Sequence, residues 1–265
     1  MSNDSIKKTL QVALGVCFVS SILVSSAAVG LRPRQEENKK LDLLKNILIA
    51  GDLYKEGEDP NKIFKDNISP EIIDLATGDV IHESEYDDEL NIDKFNVQVL
   101  QSSQKWGEEI PADKDIAGIK KKPKAMAIYR VMKNGEVEKY IFPIFGKGLW
   151  STLYGFIALD KDLNTVKGFT FYQHGETPGL GGEVDNPRWK HLWINKKIYD
   201  ENGKLKIEVI KGIVDASSPD AKYKVDGLSG ATLTTRGVNN LVRFWLSEQG
   251  YKPFIDKLKG ANKNV

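Results

Sequence analysis

One stretch breaks the otherwise mixed pattern of polar and apolar positions. From Thr9 to Leu31 the chain reads TLQVALGVCFVSSILVSSAAVGL, twenty-three residues with no charge and no proline. As a helix rising about 1.5 Å per residue it reaches roughly 35 Å, enough to cross a hydrocarbon core of about 30 Å. Residues 33–40 are polar and charged, with Pro33 near the start, and are expected to form a short linker. Leu41, Leu44, Ile47 and Leu48 then recur at three- and four-residue steps, the period of an amphipathic helix running to about Leu53. Residues 55–70 are polar. Thr77-Gly78-Asp79 is a turn signal, and the acidic run 82–94 reads as a solvated excursion.

From Lys124 the pattern changes to strands. Residues 125–132 (AMAIYRVM) and 137–145 (VEKYIFPIF) flank Asn134-Gly135, a hairpin signal. Residues 152–159 and 165–172 form a second expected pair, and 206–210 a further short strand. Val238, Leu241, Val242, Trp245 and Leu246 step at helical spacing through Gln249, with Gly250 placed to stop the helix. Pro253 opens a last helical piece. The expected fold is α+β: an N-terminal transmembrane helix, then a mostly antiparallel sheet with packed helices. The organisation this predicts is a cytoplasmic N-terminus (1–8), a membrane helix (9–31), a membrane-proximal α/β region (32–124) and a last domain over 125–265.

Charge and composition narrow the function classes. Thirty-eight basic and thirty-seven acidic residues give a net charge of +1, which is no electrostatic footprint for nucleic acid. Cys17 is the sole cysteine, so the chain builds no internal disulfide, thiolate zinc site or four-thiolate iron–sulfur cluster. His82, His174 and His191 are the three histidines and show no metal-ligand spacing. Any redox chemistry here therefore calls for an organic cofactor. A cleaved signal peptide, with Lys7-Lys8 as its basic head and Ser26-Ala27-Ala28 as its cleavage site, is the alternative to an anchor. The apolar run is longer than such peptides need. Arg32, Arg34, Lys39 and Lys40 outnumber Lys7 and Lys8, so the positive-inside count alone keeps the large domain in the cytoplasm. No carboxylate lies within 9–31, and no sodium site is expected there.

Three stretches hold candidate chemistry. In 226–239, Gly227 and Gly230 free the backbone, and Ser229, Thr232, Thr234 and Thr235 crowd hydroxyls where a helix begins. A helix start offers free N–H groups and positive dipole to a phosphate; the spacing fits an ordinary cap equally well. The run His174–Glu183 (HGETPGLGGE) has four glycines in eight positions, room for a flat ligand against backbone or simply a flexible loop. It is no Rossmann fingerprint. Gly146-Lys147-Gly148-Leu149-Trp150 is either a pocket wall or a turn with a core aromatic.

The run Asp226-Gly227-Leu228-Ser229-Gly230-Ala231-Thr232 resembles the covalent-flavinylation signature of bacterial FMN-binding domains. Taken with the N-terminal helix, Gly-Lys-Gly-Leu-Trp and His-Gly-Glu-Thr-Pro-Gly-Leu-Gly, in that order, it resembles the C subunits of sodium-pumping NADH:quinone oxidoreductases. The likeness covers nearly the whole chain and is most specific in 146–238. It implies FMN joined through its phosphate to Thr232, with Ser229, Gly230, Ala231, Leu233 and Thr234 around the attachment point. It implies a cradle for the ring from Thr177, Gly179, Leu180 and Gly181, and a wall from Leu149 and Trp150. Glu176 is a structural acceptor or a tuner of the flavin, and His174 more a structural than a proton-handling group. His82 and His191 receive no role.

The implied work is electron relay rather than substrate turnover, from an iron–sulfur centre to a second flavin in a neighbouring subunit. The implied partners are the other subunits of the membrane NADH:quinone reductase complex, the membrane, and a flavin transferase acting outside the cytoplasm. That last point places the soluble domain on the periplasmic side of the bacterial inner membrane, against the bare Lys/Arg count. The G-type subunits of related ferredoxin:NAD oxidoreductases share the anchor and the flavin threonine. Ser229 and the long region 32–124 favour the sodium-pump family. A membrane-tethered binding module, whose threonine-rich turn is only a cap, would hold no chromophore.

Overall fold

The computed structural model describes residues 5–262, so residues 1–4 of the expected N-terminal segment lie outside the described residues. In chain order the elements are α1 (Ile6–Ala50), α2 (Pro60–Asn67), β1 (Ile68–Asp74), β2 (Val80–Ile81), α3 (Val97–Ser102), β3 (Gly107–Glu109) and β4 (Lys121–Pro123). Then follow β5 (Ala125–Lys133), β6 (Glu136–Lys147), β7 (Thr152–Asp160), β8 (Val166–Gln173), α4 (Pro187–His191), β9 (Glu208–Val209), β10 (Lys224–Val225), α5 (Thr232–Trp245) and α6 (Lys252–Asn262).

Helix α1 is 45 residues long and contains Pro33. Its apolar part, with mean hydropathy 2.2 over eighteen residues and no buried side chain, is long and apolar enough to cross a membrane. The polar stretch 33–40, expected as a linker, is helical, and the helix expected over 41–53 is the end of the same α1. Proline removes one backbone donor, a loss that a long helix with intact neighbouring turns absorbs. Residues 5–43 and 44–262 form separate compact units.

The second unit is built on a six-stranded antiparallel sheet in the order β2-β1-β5-β6-β7-β8. Asn134 and Gly135 both adopt positive φ, 52° and 82°, so the expected hairpin closes through a turn whose twist matches its strands. Helix α5 packs on β6. Val238, Leu241, Val242, Phe244 and Trp245 are buried, and the Trp245 indole N–H donates to the Phe145 carbonyl at 2.7 Å. A Cβ on Gly146 would lie 2.5 Å from Leu241 Cβ, and one on Gly237 2.4 Å from the Lys147 carbonyl oxygen. Two glycines thus let helix and strand approach closely. The opposite sheet face takes the end of α1, where Ile47, Leu48 and Ala50 are buried. The Ala50 carbonyl occupies the space a Cβ on Gly168 would need.

Helix α5 begins at Thr232, where the hydroxyl cluster marks a helix start, but ends at Trp245 rather than Gln249. Gly250 is needed where the chain turns back, because a Cβ there would strike the Trp245 carbonyl at 2.2 Å, while Tyr251 N–H donates to that same carbonyl.

Candidate functional site

Thr232 is the first residue of α5, and its neighbour Ala231 stands at the cap position with no side-chain hydrogen bond to the helix. The amides of the first turn therefore point outward without a side-chain acceptor. The four hydroxyls of the motif divide into two kinds. Thr234 is buried and donates to Glu176 Oε2 at 2.6 Å. Thr235 is buried and accepts the Leu228 N–H at 2.9 Å, closing the turn that leads into α5. Ser229 and Thr232 are exposed, and among the described residues the Thr232 hydroxyl is engaged by no hydrogen bond. Gly230 takes φ +72°, and a Cβ there would press on Leu180 Cδ2 at 3.1 Å.

Glu176 joins the three stretches. Its carboxylate accepts the N–H groups of Leu149 (3.2 Å), Trp150 (3.0 Å) and Ser151 (3.1 Å), the Ser151 hydroxyl, and the Thr234 hydroxyl. Burial pushes its carboxyl pKa up. The Thr234 hydroxyl and the Trp150, Ser151 and Leu149 amides outweigh that and hold it below the ordinary glutamate value. The charge is thus satisfied where it stands, and Glu176 is a clamp between loops. The fit leaves no room for side chains nearby. A Cβ on Gly181 would lie 2.5 Å from Thr234 Oγ1, and one on Gly148 2.6 Å from Glu176 Oε1.

His174 supports the clamp. Its Nδ1 accepts the Glu176 N–H at 3.2 Å, which leaves the proton on Nε2 to face Asp185 Oδ2 at 2.7 Å. Ser151, unmarked in the sequence, closes the loop from the other side: its Oγ accepts the Gly175 N–H at 2.7 Å. A lone serine in a Trp-Ser-Thr run gives no pattern that would single it out.

The three stretches expose several apolar side chains. Leu149, Leu180 and Leu233 are each about half exposed and Trp150 is 70% exposed. Thr177 and Gly179 are exposed beside them, Gly179 at φ +75° with open space where a Cβ would sit. Ala231 and Gly181 lie beneath the surface. A free hydroxyl at an uncapped helix start, followed by the half-exposed Leu233 and with Leu180 against the preceding Gly230, suits an esterified phosphate with a flat ring beside it.

The FMN-binding domain family matches residues 148–247. The C subunit of the Na(+)-translocating NADH-quinone reductase of Pseudomonas aeruginosa is 45% identical to this chain over 97% of it and 98% of its own length. The corresponding C subunit of Vibrio parahaemolyticus is 40% identical, with 99% of both chains covered. The chain belongs to the family of C subunits of the Na(+)-translocating NADH-quinone reductases. Solved structures of the family share its fold. That of NqrC from Shewanella oneidensis superposes with a TM-score of 0.75 at 34% identity, covering 84% of this chain and 99% of its own. That of the C subunit from Parabacteroides distasonis gives 0.65 at 25% identity, covering 85% and 96%. The chain is thus an FMN-binding member of an oxidoreductase family, and the α+β architecture expected from the sequence is the fold of these C subunits.

Proposed function

We propose that this chain carries FMN as a phosphoester on Thr232 and relays electrons through it within a sodium-pumping NADH:quinone reductase, tethered by the apolar part of α1. The observation behind this reading is the sorting of the hydroxyls. Thr234 and Thr235 are committed to the fold, while Thr232 stands free at the uncapped start of α5. In the ester the Thr232 oxygen replaces one oxygen on phosphorus, so the chain gains one FMN less one water. The flavin would supply the redox chemistry.

The residues of the chain would bind and orient. The α5 amides face the phosphate charge. Leu149, Trp150, Leu180 and Leu233 give the ring apolar contact, and the backbone of 177–181 approaches it without bulk. The ester keeps the cofactor on a surface open enough for partner subunits to reach. The soluble domain lies on the periplasmic side of the inner membrane, where a flavin transferase forms the ester.

Denaturing electrophoresis with in-gel flavin fluorescence, together with intact mass, tests the assignment in the full chain co-expressed with a flavin transferase. Wild type and Thr234→Ala are expected to fluoresce and to show the added mass. Thr232→Ala is expected to show neither. Fluorescence surviving Thr232→Ala would place the ester elsewhere, and a wild-type chain that never takes up flavin would favour a tethered binding module.

A further inference from the structure

Next along α5 from Thr232, one face of the helix and the end of β6 line an open pocket of about 230 Å³. Leu233, Arg236 and Asn240 come from α5, Lys147 from the end of β6, Leu149 from the turn after it, and Ile116 from the loop before β4. The lining combines apolar walls, two cations and one amide, with no carboxylate among the described lining residues. Close packing fixes its shape. The stem of Lys147 lies over Gly118, where a Cβ would meet Lys147 Cβ and Cγ at 3.3 Å, and Gly237 abuts the Lys147 carbonyl. Among the described residues neither Lys147 nor Arg236 joins an ion pair. Both side chains are exposed, so solvent and salt screen them, yet two like charges lining one small pocket with no counterion favour an anion there.

Arg236 stands four residues after Thr232, one turn along the same helix face. A flavin linked at Thr232 has negative charge in two places. One is the phosphodiester, which the α5 amides serve. The other would be the pyrimidine edge of the ring after reduction: two electrons, delivered one at a time by the iron–sulfur donor of the relay, and one proton from solvent would leave one net negative charge there. We propose that Lys147 and Arg236 receive that pyrimidine edge in this pocket, between the Leu149 and Leu233 walls, and favour the reduced form of the flavin. The proposal rests on the reading of Thr232 as the attachment point and adds what sets the potential of the attached group.

The test uses the detergent-purified full chain bearing its flavin, as wild type, Lys147→Gln, Arg236→Gln, the double variant and Arg236→Lys. In-gel fluorescence and mass first establish that each is flavinylated, and dye-equilibrated redox titration then reads the midpoint potential at two salt concentrations. Each Gln variant is expected to shift the oxidised-to-reduced equilibrium about tenfold toward the oxidised form, a fall of about 30 mV for a two-electron couple. The double variant shifts further, Arg236→Lys keeps most of the wild-type value, and high salt narrows the differences. An unchanged or raised potential in a fully flavinylated double variant overturns the proposal while leaving the Thr232 assignment standing. A wild-type chain without flavin overturns both.

Discussion

Glu176 shows how one side chain ties the loops of a candidate site together. Five donors converge on its carboxylate, and a neutral amide cannot accept them all. Glu176→Gln turns one acceptor into a donor facing donors and is expected to lower unfolding stability by about 1–3 kcal/mol, read as a fall in the thermal midpoint. The pH dependence has a definite sign. Because the folded pKa lies below the ordinary 4.5, the contribution is present above that value and is lost as pH falls through the depressed one. The Gln variant should therefore lose part of the acid sensitivity along with the stability, and an equally steep acid limb would refute the clamp. In the sequence Glu176 reads as acceptor or tuner alike, because only the fold brings residues 149–151 and 234 to it. The hydroxyl cluster is legible there, but its division into free Thr232 and Ser229 and committed Thr234 and Thr235 depends on which face of α5 meets the sheet.

At the scale of elements, glycine placement decides how near α5 comes to β6. In an isolated helix Gly→Ala is worth up to about 1 kcal/mol in favour of alanine. Gly237→Ala should do the reverse here, because its Cβ would sit 2.4 Å from the Lys147 carbonyl oxygen and 3.0 Å from Gly148 Cα. A loss of about 1–3 kcal/mol is expected from the overpacking, with a visible change in the flavin spectrum. Gly260→Ala in α6, where a Cβ meets nothing within 4 Å, is the control and should leave the thermal midpoint level or slightly raised. Several elements are plain in the sequence. The Asn-Gly turn and the alternating runs of 125–172 mark the hairpins because period and turn chemistry agree. Helix α2 escapes the periodicity although Asp59 caps it and Pro60 opens it, a start signal hidden by the polarity of the segment. The continuity of α1 through Pro33 is hidden because proline lowers helix propensity without abolishing a helix that is long on both sides.

The whole molecule joins a segment long and apolar enough for a bilayer to an electroneutral remainder. A net charge of +1 gives little long-range steering, so encounter with partner subunits would depend on a shared membrane rather than on charge. Protease added to intact spheroplasts should digest residues 32–265 if the flavin domain is periplasmic; protection of that fragment would put it inside. The sheet has a further consequence for anyone dividing the chain. Strand β1 lies between β2 and β5 and pairs with β5 along its whole length, from Ile68 with Val131 to Asp74 with Ala125. The recognised flavin-binding region begins only at residue 148, after β6 has ended. A fragment cut at that border would lose four of the six strands, and one cut at 125 would leave β5 with a bare row of amides and carbonyls. Such an edge recruits other chains, so the recognisable part of this protein is not a part that can stand alone.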